Sequence, residues 1–273
     1  MRFSAIDLRG LRPPLVVVAV LAVAGVVTRP LENPAWQAVR AEQPALRLES
    51  IQSALGQGVT VGLLGGFRAI VADFFWIRAN VVWSDSNLPA TQTLIKLVTA
   101  IDPRPQFFWI NGANMIAYDM PQWRIIEAGG YKVVSEVEQQ RFDREQSAIA
   151  LRLLKEGLVY NPHSVAIYVC QANIQLNRAK DIAAAAESYH MAALQPGAPY
   201  FTERIYGELL KRMGRKRDAY LWLKKIYPAL PKPRDLGHFT QYQIETAMAD
   251  VVLERIRELE KELNIPDGDR VKP

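Results

Sequence analysis

Apolar positions along the chain form three patterns. Near the amino end residues 13–28 carry no charge, and 15–27 are continuously apolar if Gly25 is counted, with Arg29 closing the run. A second apolar stretch, 59–83, is interrupted by Arg68, Asp73 and Arg78. Toward the carboxyl end Ile244, Met248, Val251, Val252, Ile256, Leu259 and Leu263 fall at spacings of three and four, with Glu245, Asp250, Glu254, Arg257, Glu258 and Lys261 between them. That spacing predicts one long amphipathic helix over about 239–263.

The first pattern reads as a membrane signal. Sixteen helical residues span roughly 24 Å, against the roughly 30 Å of a bilayer core. Flanking arginines that snorkel toward the headgroups make up the difference. Three readings stay open: a retained signal anchor over 13–29, a signal peptide cleaved after Ala22-Val23-Ala24, and a buried core helix. Pro13-Pro14 and the missing polar face weigh against the last. Arg2, Arg9 and Arg12 before the segment hold the amino terminus in the cytoplasm and place the body outside it, in a periplasmic setting.

The charges in the second stretch would each cost about 2.5 to 3.5 kcal/mol at a bilayer centre. It therefore reads as a buried helix of the soluble body, with a place near the membrane surface as a further reading. Glycines at 56, 58, 62, 65 and 66 precede it, without the lysine of a phosphate loop or the register of a dinucleotide fingerprint.

The middle of the chain is periodic. Pro103, Pro162, Pro196 and Pro231 are separated by 59, 34 and 35 residues. With each proline at repeat position 32, position 8 reads Ala79, Ala113, Ala172 and Gly207, and position 20 reads Thr91, Ala150, Ala184 and Ala219. Position 4 reads Phe75, Trp109, Tyr168 and Glu203. Small residues at 8 and 20 let two helices of one repeat cross closely, and the aromatic fills the space beside them. A proline ring stops the second helix. The first spacing exceeds the period by 25 residues, which marks an insertion near 119–143 containing Trp123 and Gly129-Gly130.

These columns resemble the tetratricopeptide repeat family, whose period is 34 residues. The best single match is the fourth repeat, with Tyr206-Gly207, Met213-Gly214-Arg215, Ala219, Leu223, Ile226 and Pro231. The run from Leu63 through Gly65-Gly66-Phe67 and Phe74-Phe75-Trp76 to Arg78 is similar to uncharacterised bacterial membrane-anchored tetratricopeptide proteins, a resemblance that implies no known activity. It implies an all-α fold, a helical-hairpin solenoid of about four repeats over 66–235. The long helix over 236–265 then serves as a solvating cap, or as a dimerising coiled coil. The remaining divisions are a basic stretch at 1–12, a membrane-proximal linker at 30–65 and a tail at 266–273.

In such a solenoid the first helix of each repeat lines the concave face. Position 9 of that face reads Asn80, Asn114, Asn173 and Glu208. Asparagine is a poor helix former, and its amide pairs with a peptide backbone whatever the peptide's sequence. The alternative is asparagine bonded to its own helix backbone. Trp76, Trp83, Phe107 and Tyr118 would line the early groove, with Arg204, Lys211 and Arg212 at the other end. Between residues 204 and 234 stand ten basic residues and two acidic ones, which is either a receptor for acidic groups or a solvated face.

Composition adds exclusions. The 273 residues carry a net charge of +5 with 49% hydrophobic residues, an ordinary globular balance. One cysteine, Cys170, and three histidines leave no intrachain disulfide and no cysteine-cluster zinc site, so neither cofactor nor metal is expected. His163 stands seven residues from Cys170, too far along one helix for a nucleophile and its base. The expectation is a non-catalytic, membrane-anchored scaffold or adaptor, a subunit of a membrane complex, that binds protein or extended peptide and no nucleic acid. A cytoplasmic-facing adaptor with a basic face for acidic partners or anionic lipid is the alternative. An enzyme or enzyme accessory working through the 119–143 insertion is a third.

Overall fold

The computed structural model describes residues 66–230 and 249–272. The predicted membrane segment, the 30–65 linker and the start of the predicted cap lie outside them. Among the described residues there is no strand, in keeping with the all-α expectation. No helix among them is long and apolar enough to cross a membrane. The helices are α1 (Arg68–Ser84), α2 (Leu88–Ile101), α3 (Gln106–Asn114), α4 (Met120–Glu127), α5 (Glu136–Tyr160), α6 (Val165–Ile174), α7 (Ile182–Ala193), α8 (Tyr200–Arg212), α9 (Lys216–Ile226) and α10 (Ala249–Glu262). Two compact units divide the chain, one holding 66–78 and 96–102 of the described residues, the other the remainder.

In the smaller unit Ala72 and Phe75 of α1 are buried, and Arg68 Nε lies 3.7 Å from the carboxylate of the buried Asp102. The described part of the 59–83 stretch, expected to be a buried helix, is buried on one side only. Phe67, Ile70, Phe74 and Ile77 are about half exposed or more, because they share the face of α1 that turns away from Ala72 and Phe75.

In the larger unit local chemistry sets the helix ends. The Ser135 hydroxyl accepts from the Glu138 amide at 3.3 Å and starts α5, Ser164 accepts from Ile167 at 3.2 Å for α6, and Asp181 accepts from Ala184 at 2.9 Å for α7. Each such cap satisfies an amide that the helix itself leaves unpaired. Pro103, Pro162 and Pro196 fall in the turns after α2, α5 and α7, where the periodicity puts helix stops. Gly214, at φ +78°, turns the chain between α8 and α9.

Packing runs in chain order. α6 lies against α7, α7 against α8, α8 against α9, and α9 against α10, while α3 meets α5 and α6. Small residues of the repeat columns are buried, and Ala113, Ala150, Ala172 and Ala219 lie on the helices that make these contacts. Ala79, Thr91, Ala113, Ala150, Ala172 and Ala219 are fully buried. A Cβ on Gly207 would stand 2.6 Å from Leu223, so α8 and α9 approach there only without a side chain. Ala184 departs from its column: it is partly exposed, and Ala185 and Ala186 are the buried pair. A π turn, Gln175–Ala179, and a left-handed Lys180 intervene between α6 and α7.

The 119–143 insertion contributes α4, a turn through Gly129 and Gly130 at positive φ, and the first turns of α5. Ile125, Val134 and Phe142 bury one another as a small satellite core. Arg124 covers the Phe142 ring at 4.1 Å and donates to Glu145 at 2.7 Å. At the carboxyl end Val252, Leu253, Ile256 and Leu259 of α10 join Tyr220, Leu223 and Ile226 of α9 in one apolar cluster. The buried carboxylate of Glu260 accepts from the Val271 amide at 2.7 Å and holds the chain end down.

Candidate functional site

A groove of about 1000 Å³ opens in the larger unit between α3, α6 and the start of α8. Its lining comes from these helices and the segments that extend or precede them, with no contribution from α5 or α7. Ile110, Met115, Val165, Val169 and Phe201 form the apolar part. The polar part is rich in amides: Asn111, Asn114, Asn173 and Asn177, with Asp119 at one end.

Both α3 and α6 widen into π turns as they pass the groove, at Met115–Asp119 and Gln175–Ala179. Each begins within two residues of an Ala-Asn pair, 113-114 or 172-173. Such π turns recur at functional sites because they re-aim side chains that a regular helix would carry past. Here they bring Tyr118, Asp119 and Asn177 to the same wall as the preceding asparagines.

The groove amides are oriented by groups behind them. The Tyr189 hydroxyl, buried on α7, donates to Oδ1 of Asn173 at 2.8 Å. The Cys170 thiol donates to Oδ1 of Asn114 at 3.5 Å. Burial pushes this thiol's pKa up to about 12, so it stays protonated at neutral pH and serves as a donor. With the oxygens so engaged, each amide keeps two N–H donors for something else. Asn111 is different, since its amide donates to Phe107 O of its own helix at 2.8 Å, the backbone-bonded alternative.

Of the residues singled out in the sequence, Asn114, Asn173 and Tyr118 line the groove. Trp83 takes part at one remove, its indole donating to Asp119 Oδ2 at 2.8 Å. The Tyr118 ring lies under the Arg178 guanidinium at 4.6 Å, and Arg178 pairs with Asp143 at 3.4 Å. Burial raises the Asp143 carboxyl above its usual range, against the pull of Arg178 and Lys180. Trp76, Asn80 and Phe107 do not line the groove.

The proposed basic end is not part of it either. Lys211 donates to Glu258 of α10 at 2.9 Å and stands 3.7 Å from Glu262, which raises its ammonium pKa. Glu208 meets Arg255 at 3.8 Å, and Arg215 donates to Asp218 at 2.7 Å. Arg204 also lies outside the groove, and Arg212 is exposed. Lys211 and Arg215 of the basic run are therefore spent on carboxylates of α10 and α9.

Reasoning from sequence missed Asn111, Asn177, Asp119 and the role of Cys170. One signal was available: asparagines pair at helical spacings in 111/114 and 173/177. Among the described residues no group of three or more His, Cys, Asp or Glu side chains is placed to hold a metal ion. Comparison with protein-family models, with curated proteins and with solved structures gives no match for this chain.

Proposed function

We propose that this chain is a tetratricopeptide-like scaffold whose helical hairpins hold an extended peptide segment of a partner protein in the α3–α6–α8 groove. The carrying observation is the pair Asn114 and Asn173, each with its oxygen occupied from behind and its amide nitrogen left to the groove. Two such donors on successive hairpins suit the carbonyls of an extended backbone, and the apolar wall suits one or two uncharged side chains. The order of contacts between helices and the small residues at their crossings support the repeat reading. In this reading the body is carried outside the cytoplasm on the 13–29 segment, without catalysis or cofactor, as a subunit of a membrane complex. The alternative basic-face adaptor is disfavoured by the pairing of Lys211 and Arg215 within the chain.

Replacing both residues with aspartate tests the groove. Asn114→Asp plus Asn173→Asp keeps an acceptor for Cys170 and Tyr189 while removing the outward donors. A displayed library of extended peptides, selected on the full-length wild-type chain in detergent, supplies the probe. The double variant is expected to lose the selected peptides more than tenfold in affinity, from two lost hydrogen bonds of about 1 kcal/mol each and the carboxylate repulsion added. Equal binding by wild type and variant would remove the groove from the reading.

A further inference from the structure

Among the described residues, the exposed face of α1 is an apolar feature that neither the core nor the groove uses. Ile70, Phe74 and Ile77 are 64%, 65% and 64% exposed, and Phe67, in the turn that opens the helix, is 49% exposed. Helices apolar all round are ordinarily buried on all sides. One side of α1 is, through Ala72 and Phe75; the other is open.

The open side has a specific register. Phe67, Ile70, Phe74 and Ile77 are separated by three, four and three residues, the spacing of the seam positions of a two-stranded coiled coil. With Phe67 and Phe74 as the first seam position of each heptad and Ile70 and Ile77 as the fourth, the flanks are Asp73 and Arg78, both exposed. At 3.6 residues per turn they lie roughly 60 to 80° to either side of the stripe. Asp73 holds the flanking position that pairs, in a parallel in-register dimer, with the residue five places on in the partner helix. That residue is Arg78. The two-fold axis makes the pairing reciprocal, so the seam carries two opposite-charge contacts. Turned antiparallel, the same seam would set Asp73 against Asp73 and Arg78 against Arg78.

We infer that this face of α1 binds the same face of a second copy of this chain, parallel and in register, through Phe67, Ile70, Phe74 and Ile77 flanked by reciprocal Asp73–Arg78 pairs. The charge pattern selects this occupant over a lipid surface. A helix lying on a bilayer displays a polar face to water opposite its apolar one and is rich in lysine and arginine, whereas α1 is buried on the opposite side and flanks its stripe with one acid and one base. Two heptads make a short seam. The proposed membrane segment would supply the needed local concentration and would present two chains in the same direction, but the register and polarity come from α1 alone.

The test uses the full-length chain in native membranes and in detergent. Ile77→Cys, in a Cys170→Ala background, is expected to form a disulfide-linked dimer under mild oxidation, well above the off-seam control Val133→Cys. Adding Arg78→Asp is expected to lower the yield several-fold, and combining it with Asp73→Arg to restore it. Sedimentation provides the second arm: wild type is expected as a dimer, and Phe74→Asp plus Ile77→Asp as a monomer of unchanged helicity, since both side chains are exposed. A monomeric wild type, cross-linking no better than the control, or a dimer indifferent to both charge reversal and Phe74→Asp would each overturn the inference. So would a monomer in which a label at position 77 is shielded only when phosphatidylcholine and phosphatidylglycerol vesicles are added, since that result assigns the face to lipid. Peptide capture is measured separately on the wild type and on the Phe74→Asp plus Ile77→Asp variant, both of which keep Cys170, so the loss of one reading does not carry the other with it.

Discussion

Two ion pairs in the larger unit have opposite electrostatics. Behind the groove, Asp143 and Arg178 stand 3.4 Å apart, and burial outweighs their attraction, so the Asp143 carboxyl is raised. At the carboxyl end Lys211 and Glu258 meet at 2.9 Å, and their hydrogen bond outweighs burial, so the Glu258 carboxyl is lowered. The first pair is held in place at a cost because Arg178 also covers Tyr118 at the groove wall. The second is a surface latch between α8 and α10. Polar groups near the groove are thus kept partly unspent, whereas those at the end of the chain satisfy one another. A binding surface requires the former and a cap the latter.

The largest expected effect asks whether charge or packing holds the cap. Ile256 is fully buried in the α9–α10 cluster. Ile256→Ala is expected to destabilise the chain by about 2 to 5 kcal/mol, through lost transfer energy and the cavity left behind. Urea unfolding monitored by circular dichroism would measure it. A loss no larger than that of Lys211→Ala, which removes a partly exposed ion pair worth about 0.5 to 1 kcal/mol, would mean that the latch and not the core docks α10.

The next effect separates the two groove amides. Asn173→Ala removes the acceptor that the buried Tyr189 hydroxyl uses at 2.8 Å, at a cost of about 1 to 3 kcal/mol. Asn114→Ala strands only a thiol at 3.5 Å, a weak donor, and is expected to cost less than about 0.5 kcal/mol. Tyr189→Phe in the Asn173→Ala background should recover most of the loss. Equal costs for the two alanine variants would show that Tyr189 does not fix Asn173.

These pairs also mark how far the sequence could be read. The periodicity located the helix stops and most of the tight crossings, because a small residue at a crossing is a local requirement that leaves a local trace. Ala184 failed because 183–186 is a run of four alanines, whose composition does not say which pair faces the neighbouring helix. Asn114 and Asn173 were legible as a column because poor helix formers on a helix need a reason. Glu208 and Lys211 were placed in the same groove from their position on α8. Their partners Arg255 and Glu258 come from a helix more than forty residues on, and long-range pairing of that kind is decided by folding and not by spacing. The open face of α1 was legible only as a stretch that could lie near a membrane surface, because an apolar run shows the amount of burial that is needed, not which side the chain itself supplies.

The smallest effect is the most discriminating. Glu258 has its folded pKa depressed below its ordinary 4.5, first by the hydrogen bond from Lys211 and then by that from Arg255. Its contribution is complete above pH 4.5 and is lost as the pH falls through the folded value. With 37% of the side chain exposed, solvent screening holds that contribution to about half a kcal/mol. Asp143 has the opposite sign. Its folded pKa is raised above 3.8, so its charge costs stability above the folded value, and acid relieves the cost. In the wild type the two partly cancel as the pH falls toward 4. Removing one should expose the other: Asp143→Asn is expected to lose stability more steeply with acid than wild type, and Glu258→Gln less steeply. Urea midpoints between about pH 7 and pH 4 would measure both slopes. If Asp143→Asn keeps the wild-type slope, the groove-side carboxylate carries no buried charge and the contrast between the two pairs fails.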